Sequence, residues 1–502
     1  MSEFQEKLPR NWIATTLGEL CSQPQYGYTT KGSDIGTLRL LRTTDITSGK
    51  ICWEDVPFCS ENPTDEAKYL LEDGDIVISR AGSVGVSYLL KNPERSVFAS
   101  YLIRFKPYID KQYFKYFLDS PYYWQEIADN KLGIAVPNVN ASKLKEIAIP
   151  LPPENEQHRI VAKIEELFSE LDKGIESLKT ARAQLKVYRQ ALLKHAFEGK
   201  LTAQWREQNS DKLESAEALL KRIQLERAAR YQQQLADWET SGKQGSLVQR
   251  AGKPKAAKSL PPLTQEELAE LPELPEGWGW VRLADIGDIE TGTTPPKDNP
   301  SNYGNEYPFF KPTDLEAGSN VRIAREYLSK QGLSRSRFLP ANSTLITCIG
   351  ATIGKVGITR VDGASNQQIN SIIPFCAVLP DFVYYQASGP IFQDAVKSNA
   401  SSTTLPILNK SKFEVLAIAV CSFDEQQKVV LEVESKLSEV DQLELTLTTA
   451  LQQAEALRQS ILKKAFAGLL VPQDPHDEPA AVLLEHIRAG IAASPNNRKC
   501  GK

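Results

Sequence analysis

The chain has 502 residues, 41% of them hydrophobic and 24% charged, with a formal net charge of −4. That length exceeds what one hydrophobic core serves, so about three or four packing units are expected. No apolar run approaches the roughly 18 to 20 residues of a membrane span, the start MSEFQEKLPRNW has no apolar signal core, and Cys21, Cys52, Cys59, Cys348, Cys376, Cys421 and Cys500 form no CxxC pair, so a membrane protein, a zinc ribbon and a disulfide framework are excluded and the cytoplasm is expected.

Residues 1–150 open the chain as a globular stretch. Strand-like runs at 75–79, 97–105 and 146–151 are broken by Gly, Pro and Asp turns, and helical pieces such as 111–129 lie between them. Lys and Arg number 17 here against 19 acids, so any DNA binding must come from a small patch. The loop Gln25–Lys31 offers such a patch, with Tyr26, Tyr28, Thr29, Thr30 and Lys31. Arg42 and Thr43, and the turn carrying Arg80 and Ser83, are further candidates to bond base edges or phosphates.

A long helix follows the turn Pro152-Pro153-Glu154-Asn155. Ile164, Leu171, Leu178, Leu185 and Leu192 recur at a spacing of seven, with Ile160, Leu167, Ala181 and Tyr188 as a companion row. The helix is expected to run about 43 residues, or roughly 65 Å. Next come a helix expected at 215–238 and a Gly, Lys, Pro and Ala stretch from Gly242 to Pro262. Lys221 to Lys258 holds nine basic residues against three acids, which reads as a solvated helix and linker or as a contact to DNA backbone or a partner.

The remainder repeats the first half at an offset of 269 residues. Thr44-Asp45 falls on Thr313-Asp314, Glu156-Gln157 on Glu425-Gln426, Asp172 on Asp441, Arg189-Gln190 on Arg458-Gln459, and Gly199 on Gly468. Trp12 matches Trp278 at 266, and Leu219-Leu220 match Leu483-Leu484 at 264. The second globular stretch, 276–423, has strand-like runs at 343–349 and 414–420 and 13 basic residues against 13 acids. Its candidate DNA contacts are Thr293, Thr294, Lys297, Lys311, Lys355, Asn366, Gln367, Gln368, Ser402 and Thr403. The second long helix shows Val433, Val440, Leu447, Ala454 and Ile461 at the same spacing, beside Val429, Leu443, Ala450 and Leu457. Two equal stripes in one chain can hide each other, and antiparallel pairing would throw the two modules to opposite ends.

Catalytic signatures are missing. Gly350–Lys355 has three residues between its glycines and Val356 after the lysine, whereas a phosphate loop needs four and a Ser or Thr. Glu66-Ala67-Lys68 imitates a nuclease pattern only loosely, because the aligned residues are Arg335, Ser336 and Arg337. His158, His195, His476 and His486 have no metal-ligand spacing, so no metal site is expected. Thr294-Pro295-Pro296-Lys297 lacks both ends of the amino-methyltransferase tetrapeptide.

A module, a helix opening with PLPPENEQHRIVAKIEELF and closing with RQALLKHAFEGKLTAQWREQN, then the same again, resembles the specificity subunits of type I restriction-modification systems. Residues 149–208 and 424–470 look like the family's constant regions, and the modules fall where its variable target-recognition domains lie. The long spacer at 201–275, and Val420-Cys421-Ser422 where the first half has Pro150-Leu151-Pro152, depart from the plainest pattern. The resemblance implies an α+β fold: two mixed α/β target-recognition domains separated by two long helices in an antiparallel coiled coil, a tandem repeat with pseudo-twofold symmetry. The expected divisions are 1–150 and 276–423 for the recognition domains, 151–200 and 424–470 for the helices, 201–275 for the spacer and 471–502 for a tail helix. It also implies a non-catalytic DNA reader whose partners are double-stranded DNA, two modification subunits that bind S-adenosylmethionine and methylate adenine N6, and restriction subunits that use ATP and Mg to translocate and cleave DNA. No cofactor is expected on this chain. A self-sufficient methyltransferase or nuclease, or a structural coiled-coil scaffold, is the alternative.

Overall fold

The computed structural model describes residues 8–131, 138–243, 260–401 and 405–493. They fall into two compact units, one within residues 1–180 and 447–502, the other within 181–446. The boundary runs through both long helices, so each unit owns half of each.

In the first unit the strand Ile13–Thr16 pairs antiparallel with Ala148–Leu151, Ile13 opposite Leu151, which ties the module's two ends together. The main sheet has the order Gln25–Tyr26, Leu102–Phe105, Ile76–Ser79, Ser87–Leu89. A second sheet runs Gly32–Ser33, Phe58–Cys59, Arg39–Leu41, Ser96–Phe98. The run expected as one strand over 97–105 is therefore two strands in two sheets, and residues 99–101 turn between them. The helical piece expected over 111–129 is likewise two helices, Lys111–Leu118 and Pro121–Lys131. Pro121 has no N–H to continue the first and sits at the first position of the second, where none is needed.

The second unit repeats this plan. Gly279–Arg282 pairs with Ala417–Val420, and the main sheet runs Gly287–Thr291, Ile369–Pro374, Thr344–Thr347, Val356–Ile358. A three-stranded sheet of Tyr327–Leu328, Tyr303–Phe310 and Ala364–Ser365 takes the second position.

The long helices span Glu154–Phe197 and Phe423–Phe466, 44 residues each. In each unit half of one lies antiparallel on half of the other. Arg458 pairs with Asp172 in the first unit, and Arg189 with Asp441 in the second, the same pair transposed by the repeat. Of the ten seam residues, Ile164, Leu192, Val433, Val440, Ala454 and Ile461 are buried, and Leu171, Leu178, Leu185 and Leu447 half-buried. The companion row follows expectation in part: Ile160 and Val429 are buried, and Leu167, Ala181 and Ala450 are half-buried. Tyr188 is 48% exposed, and Leu443 and Leu457 are 52% exposed. A further inward row lies four residues after several seam positions, at Phe168, Ile175 and Arg189 and at Leu437, Leu451 and Arg458. Arginines stand in that row because their stems pack while their heads reach carboxylates; the Arg458 head lies 4.4 Å from the Phe168 ring centre.

Each long helix is locked to the module that precedes it by a buried glutamine. Gln157 accepts from the Asp110 backbone N–H (3.2 Å) and donates to the Pro152 carbonyl (3.0 Å). Gln426 accepts from Leu379 (2.9 Å) and donates to Cys421 (2.9 Å). The glutamates beside them differ in partners. Glu156 accepts from the Trp12 indole N–H (3.0 Å) and from Gln473, while Glu425 accepts from Thr202 (2.7 Å) and Arg206 (2.9 Å).

Residues distant in sequence complete each core. The first module packs on Phe466, then on Ala480, Leu484 and Ile487 of the helix Ala480–Ala493; the second packs on Ala216, Leu219 and Ile223 of the helix Ala216–Lys243. Arg159 pairs with Asp477 at 2.7 Å to hold the approach to the tail helix, and that hydrogen bond keeps the Asp477 carboxyl below its ordinary range.

Phe466 is fully buried, with ring centres 5.2 Å from Tyr113 and 5.4 Å from Phe117. Phe466→Ala should destabilise the first unit by about 3 to 5 kcal/mol, because the vacated space cannot collapse. The exposed neighbour substitution Leu457→Ala should change stability by no more than about 0.5 kcal/mol. Urea unfolding followed by tryptophan fluorescence compares the two.

Candidate nucleic-acid interface

In each module the same four chain segments meet at one edge of the main sheet. The first is the loop leaving the edge strand, at 25–31 and 291–297. The second is the turn between sheets, at 99–101 and 366–368. The third leaves the central strand, at 80–85 and 349–354. The fourth holds Asn138, which bridges Ala81, and Ile407, which bridges Ile349.

The backbone frame of this edge is duplicated bond for bond. In the first module Gly27 donates to Leu102, Tyr28 to Phe98, Arg80 to Tyr101 and Val139 to Arg80; in the second, Gly292 donates to Ile369, Thr293 to Ser365, Cys348 to Gln368 and Leu408 to Cys348. A glycine is required at the pinch. A Cβ on Gly27 would lie 2.1 Å from the Ala99 carbonyl oxygen, and one on Gly292 would lie 2.2 Å from that of Asn366.

Different side chains fill the two frames. In the first, the Tyr26 hydroxyl accepts from the Ala141 N–H (2.9 Å) and its ring carries the Arg80 guanidinium at 5.2 Å. Tyr28 packs against Tyr69 at 5.4 Å, Thr30 bonds Ser60 (3.0 Å), and Thr29, Lys31 and Ser83 face water. In the second, Thr294 donates to Gln367, Asn366 donates to Gln368 (2.9 Å), and the Thr293 carbonyl accepts from Ser336 (2.7 Å). Arg80 is replaced by Cys348, a buried thiol that burial pushes up to about 12 and that is therefore uncharged.

The basic candidates divide into two groups. Lys31 and Lys297, at equivalent ends of the first loop, are exposed and pair with no carboxylate among the described residues. Arg42 pairs with Asp45 (2.8 Å), Lys355 with Glu316 (2.9 Å) and Lys311 with Glu326, so their charge is already answered within the module. Arg42 and Lys311 still sit beside the second loop, since the carbonyls of Leu41 and Phe310 just before them accept from Ala99 and Asn366. Thr43 is half-buried and its hydroxyl has no partner. Ser402 and Thr403 lie outside the described residues.

Sequence reasoning missed the turn Ala99-Ser100-Tyr101, the equivalent of Asn366-Gln367-Gln368, whose Tyr101 is 60% exposed. The signal was there at an offset of 267, masked because VFASYLIRF reads as a single strand. Among the described residues no group of three His, Cys, Asp or Glu is placed to hold a metal, and no helix is long and apolar enough to cross a membrane.

Residues 11–180 and 275–455 match the family model described as the type I restriction modification DNA specificity domain, so the chain belongs to that family, whose members are DNA-recognition rather than catalytic subunits. Its relatives include the specificity subunit of the type I restriction enzyme EcoDI of Escherichia coli, 25% identical over 74% of this chain and 74% of that one. That of EcoBI, also from Escherichia coli, is 28% identical over 77% and 73%. Among solved structures, one described as the structural basis of complex assembly and conformational transition of the type I R-M system gives a TM-score of 0.62 at 19% identity, over 92% of this chain and 99% of that one. The HsdS subunit of Thermoanaerobacter tengcongensis gives 0.50 at 19% identity, over 93% and 100%.

Gly292→Ala tests the pinch. The added methyl must push the first loop off the second, so it should destabilise the second module by about 1 to 3 kcal/mol and open the Thr293 N–H to Ser365 bond. Hydrogen exchange should show faster exchange at Thr293 and Ile369, with the equivalent Tyr28 and Leu102 of the first module unchanged.

Proposed function

We propose that the chain reads a bipartite DNA target, the first module taking one half-site and the second the other. The observation that carries this reading is the duplicated edge: one backbone frame, built twice, lined once by an arginine on a tyrosine ring and once by a hydroxyl and amide cluster. A shared catalytic centre would need the same side chains in both frames. Diverged linings on a common frame suit two readers of different base sequences, since guanidinium, amide and hydroxyl groups each favour different base edges.

The gap between half-sites is set by the paired long helices, each of which begins in one unit and ends in the other. The near-even charge of the modules leaves few phosphate contacts, so affinity rests on a complex rather than on this chain alone. Two modification subunits and the restriction subunits dock on it in the cytoplasm. S-adenosylmethionine, ATP and Mg belong to those subunits, and this chain contributes the address.

Exchange of residues 1–150 for the equivalent module of a relative should alter one half of the methylated motif and leave the other half unchanged. Methylome sequencing of cells that carry the hybrid with its partner subunits measures this. Changed letters in both halves would overturn the one-module, one-half-site assignment.

A further inference from the structure

Five arginines lie between residues 39 and 104 of the first module, and four of them pair with carboxylates: Arg39 with Glu94, Arg42 with Asp45, Arg95 with Glu66 and Arg104 with Asp75. Arg80 pairs with none among the described residues. Its backbone is fixed on both sides, the N–H to Tyr101 (2.9 Å) and the carbonyl from Val139 (3.1 Å), so its position at the end of the central strand is not free to wander. Its Nε is covered and finds no acceptor. The guanidinium is thus held by the Tyr26 ring rather than by hydrogen bonds. That ring is itself fixed, by the Ala141 N–H on its hydroxyl and by the Gly27 pinch next to it.

Such a head is a planar fork stacked at the Tyr26 ring, and its Nη donors meet no acceptor among the described residues. It is set between the first loop, through the Tyr26 ring, and the second, through Tyr101, and the first loop ends on Lys31, an exposed cation that pairs with no carboxylate among the described residues. A fork of coplanar N–H groups at that place matches the one base edge that offers two adjacent acceptors in the major groove, O6 and N7 of guanine. The second module has no such device, because the equivalent Cys348 is buried.

We infer that Arg80 reads a guanine in the half-site taken by the first module, and that Tyr26 is its positioning residue. The inference rests on the bipartite reading above. In methylome sequencing with the partner subunits, Arg80→Gln should relax a single position of one half-site from guanine to several bases. The other half-site should keep its letters, which also reports that the variant folds and assembles. Tyr26→Ala should relax the same position, and Tyr26→Phe, which keeps the ring and the Gly27 pinch but loses the bond from Ala141, should relax it less.

If a variant methylates too weakly to sequence, competition binding by the assembled complex decides, using duplexes in which each first-half pair is replaced in turn. The wild type should prefer guanine at one pair by about 10- to 100-fold, and Arg80→Gln should lose that preference alone. Uniform weakening with every preference intact would make Arg80 a phosphate contact and overturn the inference. So would an unchanged motif. A wild-type complex that methylates no two-part sequence would instead overturn the bipartite reading itself.

Discussion

A helix of 44 residues with an apolar stripe along its length cannot keep that stripe in water, and this chain contains two. The need to cover them organises everything else. Because the copies are equal and antiparallel within each unit, the start of one stripe is covered by the end of the other, and each unit takes the closing Phe of the opposite copy's helix into its own buried interior: Phe466 in the first, Phe197 in the second. Neither half of the sequence therefore finishes its own core. The first module draws on residues from beyond 460, and the second on residues near 200 that lead into the spacer.

The buried glutamines carry this order into each module. Gln157 and Gln426 join the first turn of each long helix to the module before it through backbone groups, which any side-chain replacement in the module leaves intact. The same holds for the edge itself, where the frame is made of N–H and C=O groups and a glycine. Side chains at 26–31, 80–83 and 99–101 can change without touching a ladder bond. This separation of frame from lining lets two copies of one fold carry different side chains at the same edge.

Much of this was legible in the sequence for a physical reason: repetition constrains both copies at once. The offset of 269 placed the helices, their antiparallel sense and the two modules, and a spacing of seven picked out the seam at Ile164, Leu171, Leu178, Leu185 and Leu192. The companion row was legible only in part, because positions three and four residues from a seam residue are both apolar in places, and only packing shows that Phe168 turns in while Tyr188 turns out. The break at Ala99–Tyr101 was hidden by a continuous run of strand-forming residues. Ion pairing was hidden as well: Lys31 and Arg42 look alike as candidate DNA contacts, and Asp45 is what separates them.

The central proposal is that the paired helices fix the distance between the two half-sites. One matched heptad inserted beside Leu178 and another beside Leu447 keeps the seam in phase and lengthens the pair by about 10 Å. Along B-form DNA that is about three base pairs, at roughly 3.4 Å each, with a turn of about 100° that can lower activity. Methylome sequencing of cells carrying this variant with its partner subunits reads letters and gap together. The account predicts unchanged half-site letters with a gap longer by about three base pairs. An active variant that keeps the original gap would contradict it.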